Sequence, residues 1–185
     1  MKSQRIRLLW VVGATLALIG CSPEGGIGGT TISGGTTSGG TDFIHGDTSC
    51  VTPADAEALG KQVLLLVNQT RREYGLNQLT WSEPLAQIAG DYACTMIRGD
   101  FFDHVNPSTG EGPGERAIKA GYLFMTLGEN LAGGQPTPST VMQAWMESES
   151  HRENILNPVW DELGVGMREG GEYGIYWVQE FGDPP

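Results

Sequence analysis

This chain is short of basic residues, of long apolar runs and of the common nucleophile motifs. Its 185 residues carry 11 Lys and Arg against 22 Asp and Glu, a formal net charge of −11. Nucleic acid is a polyanion held mainly by Lys and Arg, so no nucleic-acid partner is expected. Adhesion to anionic lipid through a basic surface is disfavoured for the same reason. The apolar run at residues 8–19 has 12 residues, interrupted by Gly13 and Thr15. A membrane-spanning helix needs ~20. No Gly-x-Ser-x-Gly elbow occurs, which removes one route to a serine nucleophile. His151-Arg152-Glu153-Asn154 lacks the spacing of a His-Glu-x-x-His zinc helix. Glycine, by contrast, is abundant: 28 residues, about twice the ordinary share of ~7%.

The two ends of the chain differ. Lys2, Arg5 and Arg7 precede the apolar run, the layout of a signal peptide over residues 1–20. The run closes on Leu18-Ile19-Gly20-Cys21. This resembles the bacterial lipobox, which implies that Cys21 becomes the mature N-terminus and carries diacylglycerol, holding the protein to a membrane by covalent lipid. Residues 21–50 are rich in Gly, Ser and Thr and offer almost no large side chains to bury, so they are expected to form a flexible tether. Gly25 to Gly29 is not read as a phosphate loop, because no strand precedes it and no helix follows. Residues 51–185 hold 8 bases and 19 acids, so the acidity belongs to the domain. Cys50 and Cys94 remain. In an exported chain they are expected to pair, two separate buried thiols being the other reading.

The domain opens with helical signals. Thr52-Pro53-Ala54-Asp55 reads as an N-cap with Pro at the first helical position. Leu59, Val63, Leu66, Val67, Thr70 and Tyr74 follow on one helical face, and Gly75 stops it. A second helix runs from Ser82-Glu83-Pro84 to Gly99 with Leu85, Ile88, Ala89, Tyr92 and Met96 inward. A short helix covers residues 115–120, and a fourth starts at Thr137-Pro138. The period then changes to that of strands, around residues 126–132, 163–167 and 173–181. Arg168-Glu169-Gly170-Gly171-Glu172 supplies the turn of a hairpin. Helices first and a small antiparallel sheet completed last predict an α+β fold. Trp145, Trp160, Tyr176, Trp177 and Phe181 are expected in the core.

Three polar segments stand out: Phe101-Phe102-Asp103-His104-Val105-Asn106-Pro107-Ser108-Thr109-Gly110, Leu127-Gly128-Glu129-Asn130-Leu131-Ala132, and Trp145-Met146-Glu147-Ser148-Glu149-Ser150-His151-Arg152-Glu153-Asn154-Ile155-Leu156-Asn157-Pro158. With Gly164-Val165-Gly166 and Trp177-Val178-Gln179-Glu180-Phe181-Gly182, this ordered set resembles the CAP superfamily of cysteine-rich secretory, antigen 5 and pathogenesis-related proteins, and within it the bacterial SCP-domain branch. The resemblance runs over residues 59–182. It implies an α-β-α sandwich with a three-stranded antiparallel sheet between helices.

The resemblance also implies a cleft in which many members gather two His and two Glu. Carried over by motif, His104 and Glu129 match the first His and first Glu. Ser148 stands where the second Glu is expected and Ile175 where the second His is. His151 is the residue that the bacterial branch places in this region, and Ser150 replaces its usual Gly. His104, Glu129, Ser148, His151 and Ile175 are therefore the expected cleft. His104, Glu129 and His151 could supply three ligands to a weakly held divalent metal, zinc or magnesium. A His–carboxylate pair could instead serve acid–base chemistry, or simply tie two loops together. The expected function is an exported, lipid-anchored cell-envelope module, on the periplasmic or extracellular side, that binds a small apolar ligand, a wall component or a protein partner. The alternative is a metal-dependent hydrolase, protease- or esterase-like, using His104, Glu129 and His151.

Overall fold

The computed structural model describes residues 48–185. The expected signal peptide, Cys21 and all of the tether before Thr48 lie outside the described residues. Five helices and four strands follow in the order α1 (Ala56–Glu73), β1 (Thr80–Trp81), α2 (Glu83–Gly99), α3 (Pro113–Lys119), β2 (Thr126–Gly133), α4 (Pro138–Glu147), α5 (Glu149–Ile155), β3 (Glu162–Glu169) and β4 (Ile175–Asp183). The sheet order is β1-β3-β4-β2. The pairs β3–β4 and β4–β2 are antiparallel, as expected, and the two-residue β1 adds a parallel strand on the β3 edge. None of the helices in the described residues is long and apolar enough to cross a membrane.

Strand alternation sends successive side chains to opposite faces of the sheet, and the two faces are covered by different helices. Leu163, Val165 and Met167 of β3 and Trp177 and Phe181 of β4 pack with Val63 and Val67 of α1, Val141, Met142 and Trp145 of α4 and Ile155 of α5. On the other face, Leu131, Tyr176 and Val178 pack with Ala89, Tyr92, Ala93 and Met96 of α2. Leu127 packs there with Leu85 of α2 and Ala117 of α3. All five aromatics expected in the core are buried, at 2% exposure or less.

Glycine sets the spacing on the α2 face. A Cβ at Gly164 would lie 2.1 Å from Ala86 N, and one at Gly166 would lie 2.1 Å from Gly90 N. The bare backbone at these two inward positions lets α2 rest directly on β3. The hairpin turn also needs glycine, because Gly170, Gly171 and Gly174 all have positive φ, at 129°, 63° and 71°. Cys50 and Cys94 are joined, with Cα atoms 5.4 Å apart, which fits disulfide geometry. The bridge fastens the domain's N-terminal edge to α2, and beside it Val51 pairs with Glu169.

Three local expectations are corrected. Helix α1 begins at Ala56 with Asp55 at its N-cap, because residues 53–56 close a turn of their own in which Ala56 N–H bonds Pro53 O at 3.1 Å. Thr52 and Pro53 therefore precede the helix. Tyr74 is the C-cap and 60% exposed, so the buried stripe of α1 ends one turn earlier. The fourth helix divides at Ser148, whose extended backbone caps both α4 and α5.

Candidate functional site

Glu129 lies mid-strand on β2, directly opposite Glu180 of β4. Both side chains point to the α2/α3 face, as their alternation with Leu131 and Val178 requires. The Glu129 side chain is 1% exposed and that of Glu180 is 0% exposed. Burying a carboxylate is costly unless it is paired, so the partners decide its state. The His104 Nδ1–H donates to Glu129 Oε1 at 2.7 Å. Arg116 Nη2 donates to the other oxygen, Oε2, at 2.5 Å. With Nδ1 engaged, the Nε2 of His104 has no hydrogen-bond partner among the described residues.

Local structure explains why these groups converge. Gly112 caps α3, and the Glu115 carboxylate accepts the Gly112 N–H at 3.0 Å, which fixes the helix start at Pro113, three residues before Arg116. The Arg116 guanidinium lies over the Tyr92 ring, 3.3 Å from its centroid, within cation–π range. Its Nη1 bonds the His104 carbonyl at 3.1 Å and the Glu111 carbonyl at 3.3 Å. The loop that carries His104 is further held by the Tyr92 hydroxyl, which donates to Asp103 O at 2.5 Å, and by Phe102, whose ring meets Tyr173 and Tyr176. Desolvation by burial and the charge of Glu129 push the Glu180 carboxyl well above the usual carboxylate range, against the pull of Arg116.

The opposite face carries a neutral polar network built from three of the motifs. Asn130 Nδ2 bonds Gln179 Oε1 at 3.0 Å and the His151 carbonyl at 3.2 Å. Asn154 Nδ2 bonds Asn130 Oδ1 at 3.2 Å and the Glu129 carbonyl at 3.1 Å. Arg152 Nη1 bonds the Met146 carbonyl near the end of α4 at 2.9 Å. These contacts hold α5 against β2, the outer strand on that side of the sheet. The His151 ring has no hydrogen-bond or ion-pair partner among the described residues. Burial, with a smaller effect of the His104 charge, pushes its pKa down to about 4, so His151 is neutral and within electrostatic reach of His104.

Of the five residues expected to form the cleft, the structure joins His104 to Glu129 and brings His151 near. It does not bring in Ile175, which packs against the α1/α4/α5 core on the other face of the sheet. Tyr176, one residue on, is the one that faces the Glu129 side. Ser148 sits at the α4–α5 junction with its hydroxyl 3.4 Å from that of Ser150. The three-ligand set of His104, Glu129 and His151 is not assembled. Among the described residues no group of three or more His, Cys, Asp or Glu is arranged to hold a metal, and both oxygens of Glu129 are already engaged. Zinc or magnesium therefore finds no fitting donor set here. A separate hollow of about 230 Å³ between α1, α2 and β3 is lined by Trp81, Val165, Met167 and Arg168 and by none of the expected site residues. Arg116 and Glu180 were missed as site residues. Glu180 was detectable in principle, as an acid at an inward position of a core strand; Arg116 carried no such signal.

The pattern of the cysteine-rich secretory protein family, CAP, matches residues 64–181. The chain belongs to the CAP family. An uncharacterized protein of Bacillus subtilis, YkwD, is 38% identical over 135 residues, covering 73% of this chain and 51% of that protein. The crystal structure of an extracellular SCP-domain protein from Bacillus anthracis is 29% identical with a TM-score of 0.63, covering 71% of this chain and 44% of that one. An outer surface protein of Borrelia burgdorferi is 26% identical with a TM-score of 0.62, covering 68% of this chain and 92% of that one. This CAP chain thus spans about half the length of the first of these relatives.

Proposed function

We propose that this protein is an exported cell-envelope module, anchored by lipid on Cys21, whose CAP domain binds a ligand or partner at the His104–Glu129–His151 region and does no chemistry on it. One observation carries the choice of binding over hydrolysis. Glu129 is closed off by His104 on one oxygen and Arg116 on the other, which leaves it neither a free base nor a metal ligand. What His104 and His151 offer to a ligand is a pair of imidazole rings, that of His151 held neutral by burial, whose unbonded nitrogens can hydrogen-bond hydroxyl or amide groups. The location is supported by relatives described as extracellular in Bacillus anthracis and as an outer surface protein in Borrelia burgdorferi, and by the lipobox-like Leu18-Ile19-Gly20-Cys21.

The test uses the full chain expressed in a bacterium. Wild type should incorporate labelled fatty acid and fractionate with membranes, whereas Cys21→Ser should do neither. Purified Cys21→Ser protein should then bind one of three isolated envelope fractions (lipid extract, wall polymer or membrane protein), and His104→Ala should weaken that binding at least tenfold. Cleavage of a peptide or ester library that disappears in His104→Ala would overturn the binding reading, as would binding that His104→Ala leaves unchanged.

A further inference from the structure

The Glu129–Glu180 pair poses a problem that the contacts around it solve in one way. Register partners on neighbouring antiparallel strands hold their Cβ atoms about 4.5–5.5 Å apart, and like charges in that position repel. Here both acids are buried, and a single guanidinium serves them: Arg116 Nη2 touches Glu129 Oε2 and stands 3.8 Å from Glu180 Oε1. No second cation approaches Glu180 among the described residues. On the β3 side its register partner is Gly164, filled by the α2 backbone at Leu85 and Ala86. Along β4 the same face carries Val178 and Gly182, and along β2 it carries Leu127 and Leu131. Helix α2 contributes Tyr92, whose hydroxyl is already donated to Asp103 O. His104 faces Glu129, and the charge of His104 reaches His151 beyond it.

Among the described residues Arg116 is the one cation within ion-pair distance of Glu180, and it sits closer to Glu129, so Glu180 is the acid that keeps its proton. Glu129 receives two charge-assisted donors, which favour its ionised form. Neither oxygen of Glu180 has a hydrogen-bond partner as a carboxylate. We infer that Glu180 is a positioning residue held as a neutral carboxylic acid, donating its proton in a hydrogen bond to Glu129 and thereby fixing the carboxylate on which His104 and Arg116 converge. The consequence reaches the site proposed above, since the orientation of Glu129 decides which His104 nitrogen is left free. The inference rests on that reading only for its functional meaning. The protonation of Glu180 stands or falls by itself.

The test needs no ligand. Infrared spectra of the wild type at pH 7 should show the carbonyl band of a neutral carboxylic acid, lost in Glu180→Gln and retained at a shifted position in Glu129→Gln. Glu180→Gln keeps the shape and places an amide N–H where the acid proton was. A carboxyl whose folded pKa lies above its unfolded value contributes stability at low pH that is lost as pH rises towards the folded value. The folding constant of the wild type should therefore fall relative to that of Glu180→Gln as pH rises above the ordinary carboxylate range, by up to roughly tenfold per pH unit. Glu180→Gln should also leave the nitrogen NMR shifts of His104 unchanged, whereas Glu180→Ala should move them. Absence of the band at pH 7, its survival in Glu180→Gln, or a stability difference that does not vary with pH overturns the inference. If the protein binds none of the envelope fractions while the band behaves as expected, the binding function fails and this assignment remains.

Discussion

The two faces of the sheet bury polar groups in opposite ways. On the α1/α4/α5 face the buried polar side chains of the sheet itself are neutral amides, Asn130 and Gln179, bonded to each other and, through Asn154 of α5, to main-chain carbonyls beside an apolar cluster with three tryptophans. On the α2/α3 face the polar groups are ionisable: His104, Arg116, Glu129 and Glu180, with one of the acids lacking a hydrogen-bond partner for either carboxylate oxygen. Neutral amides fully embedded in a core fix which elements meet, at modest cost. A buried cluster of charges is weak evidence for stability, since apolar replacements of the same shape are often as stable. The amide face therefore reads as scaffold, and the charged face as the part of the fold retained for something other than folding.

That contrast can be broken at its strongest point first. Arg116→Ala removes the guanidinium that reaches both buried acids, and the expected loss is about 3–5 kcal/mol, read by denaturant unfolding at pH 7. A loss below about 1 kcal/mol would show that the α2/α3 face is solvated and that the contrast is false. Next, Gly166→Ala drives a methyl into the Gly90 backbone. It should cost about 3 kcal/mol, and a melting temperature equal to wild type would show that α2 does not depend on the bare strand. On the amide face, Asn154→Ala strips donors from the Glu129 carbonyl and from Asn130. The expected cost is about 2 kcal/mol, independent of pH between 5 and 8, whereas the Arg116→Ala cost should vary across that range.

The smallest effect belongs to His151. Its pKa is depressed in the folded protein to about 4 from an ordinary 6.5, so the unfolded chain binds the extra proton first. Stability should be fully present above pH 6.5 and drain away as pH falls towards 4. His151→Gln should flatten that acid limb and change little at pH 7. An unaltered slope between pH 6.5 and 4 would mean that His151 is solvated and stands outside the His104 environment.

The individual motifs explain how far the site could be read in advance. His104 and Glu129 were identified from two separate polar segments, and they meet because the Arg116 guanidinium holds the His104 loop by its carbonyls. The CAP resemblance implies Ile175 in the cleft by its place after Gly174, but successive side chains on a strand go to opposite faces, and the register of β4 against β2 and β3 is what puts it with the main core. Arg71 likewise gave no warning in the helical pattern. It is fully buried and donates to the carbonyls of Asn77, Ile155 and Asn157, a role set by where a distant helix ends.

Sequence by itself determined the periodic and the local: amphipathic helices, an alternating hairpin, glycines for turns, a disulfide pair, and the ordered motifs of the CAP family. Each of these depends on residues near in the chain or on side-chain chemistry that needs no partner to be named. Tertiary structure alone decided which face Glu129, Ile175 and Glu180 occupy, that one guanidinium would serve two acids, and that His104 and His151 would come within electrostatic reach. Those outcomes depend on strand register and on burial, and the strength of a charge–charge contact is set by the water excluded around it, which no stretch of sequence specifies.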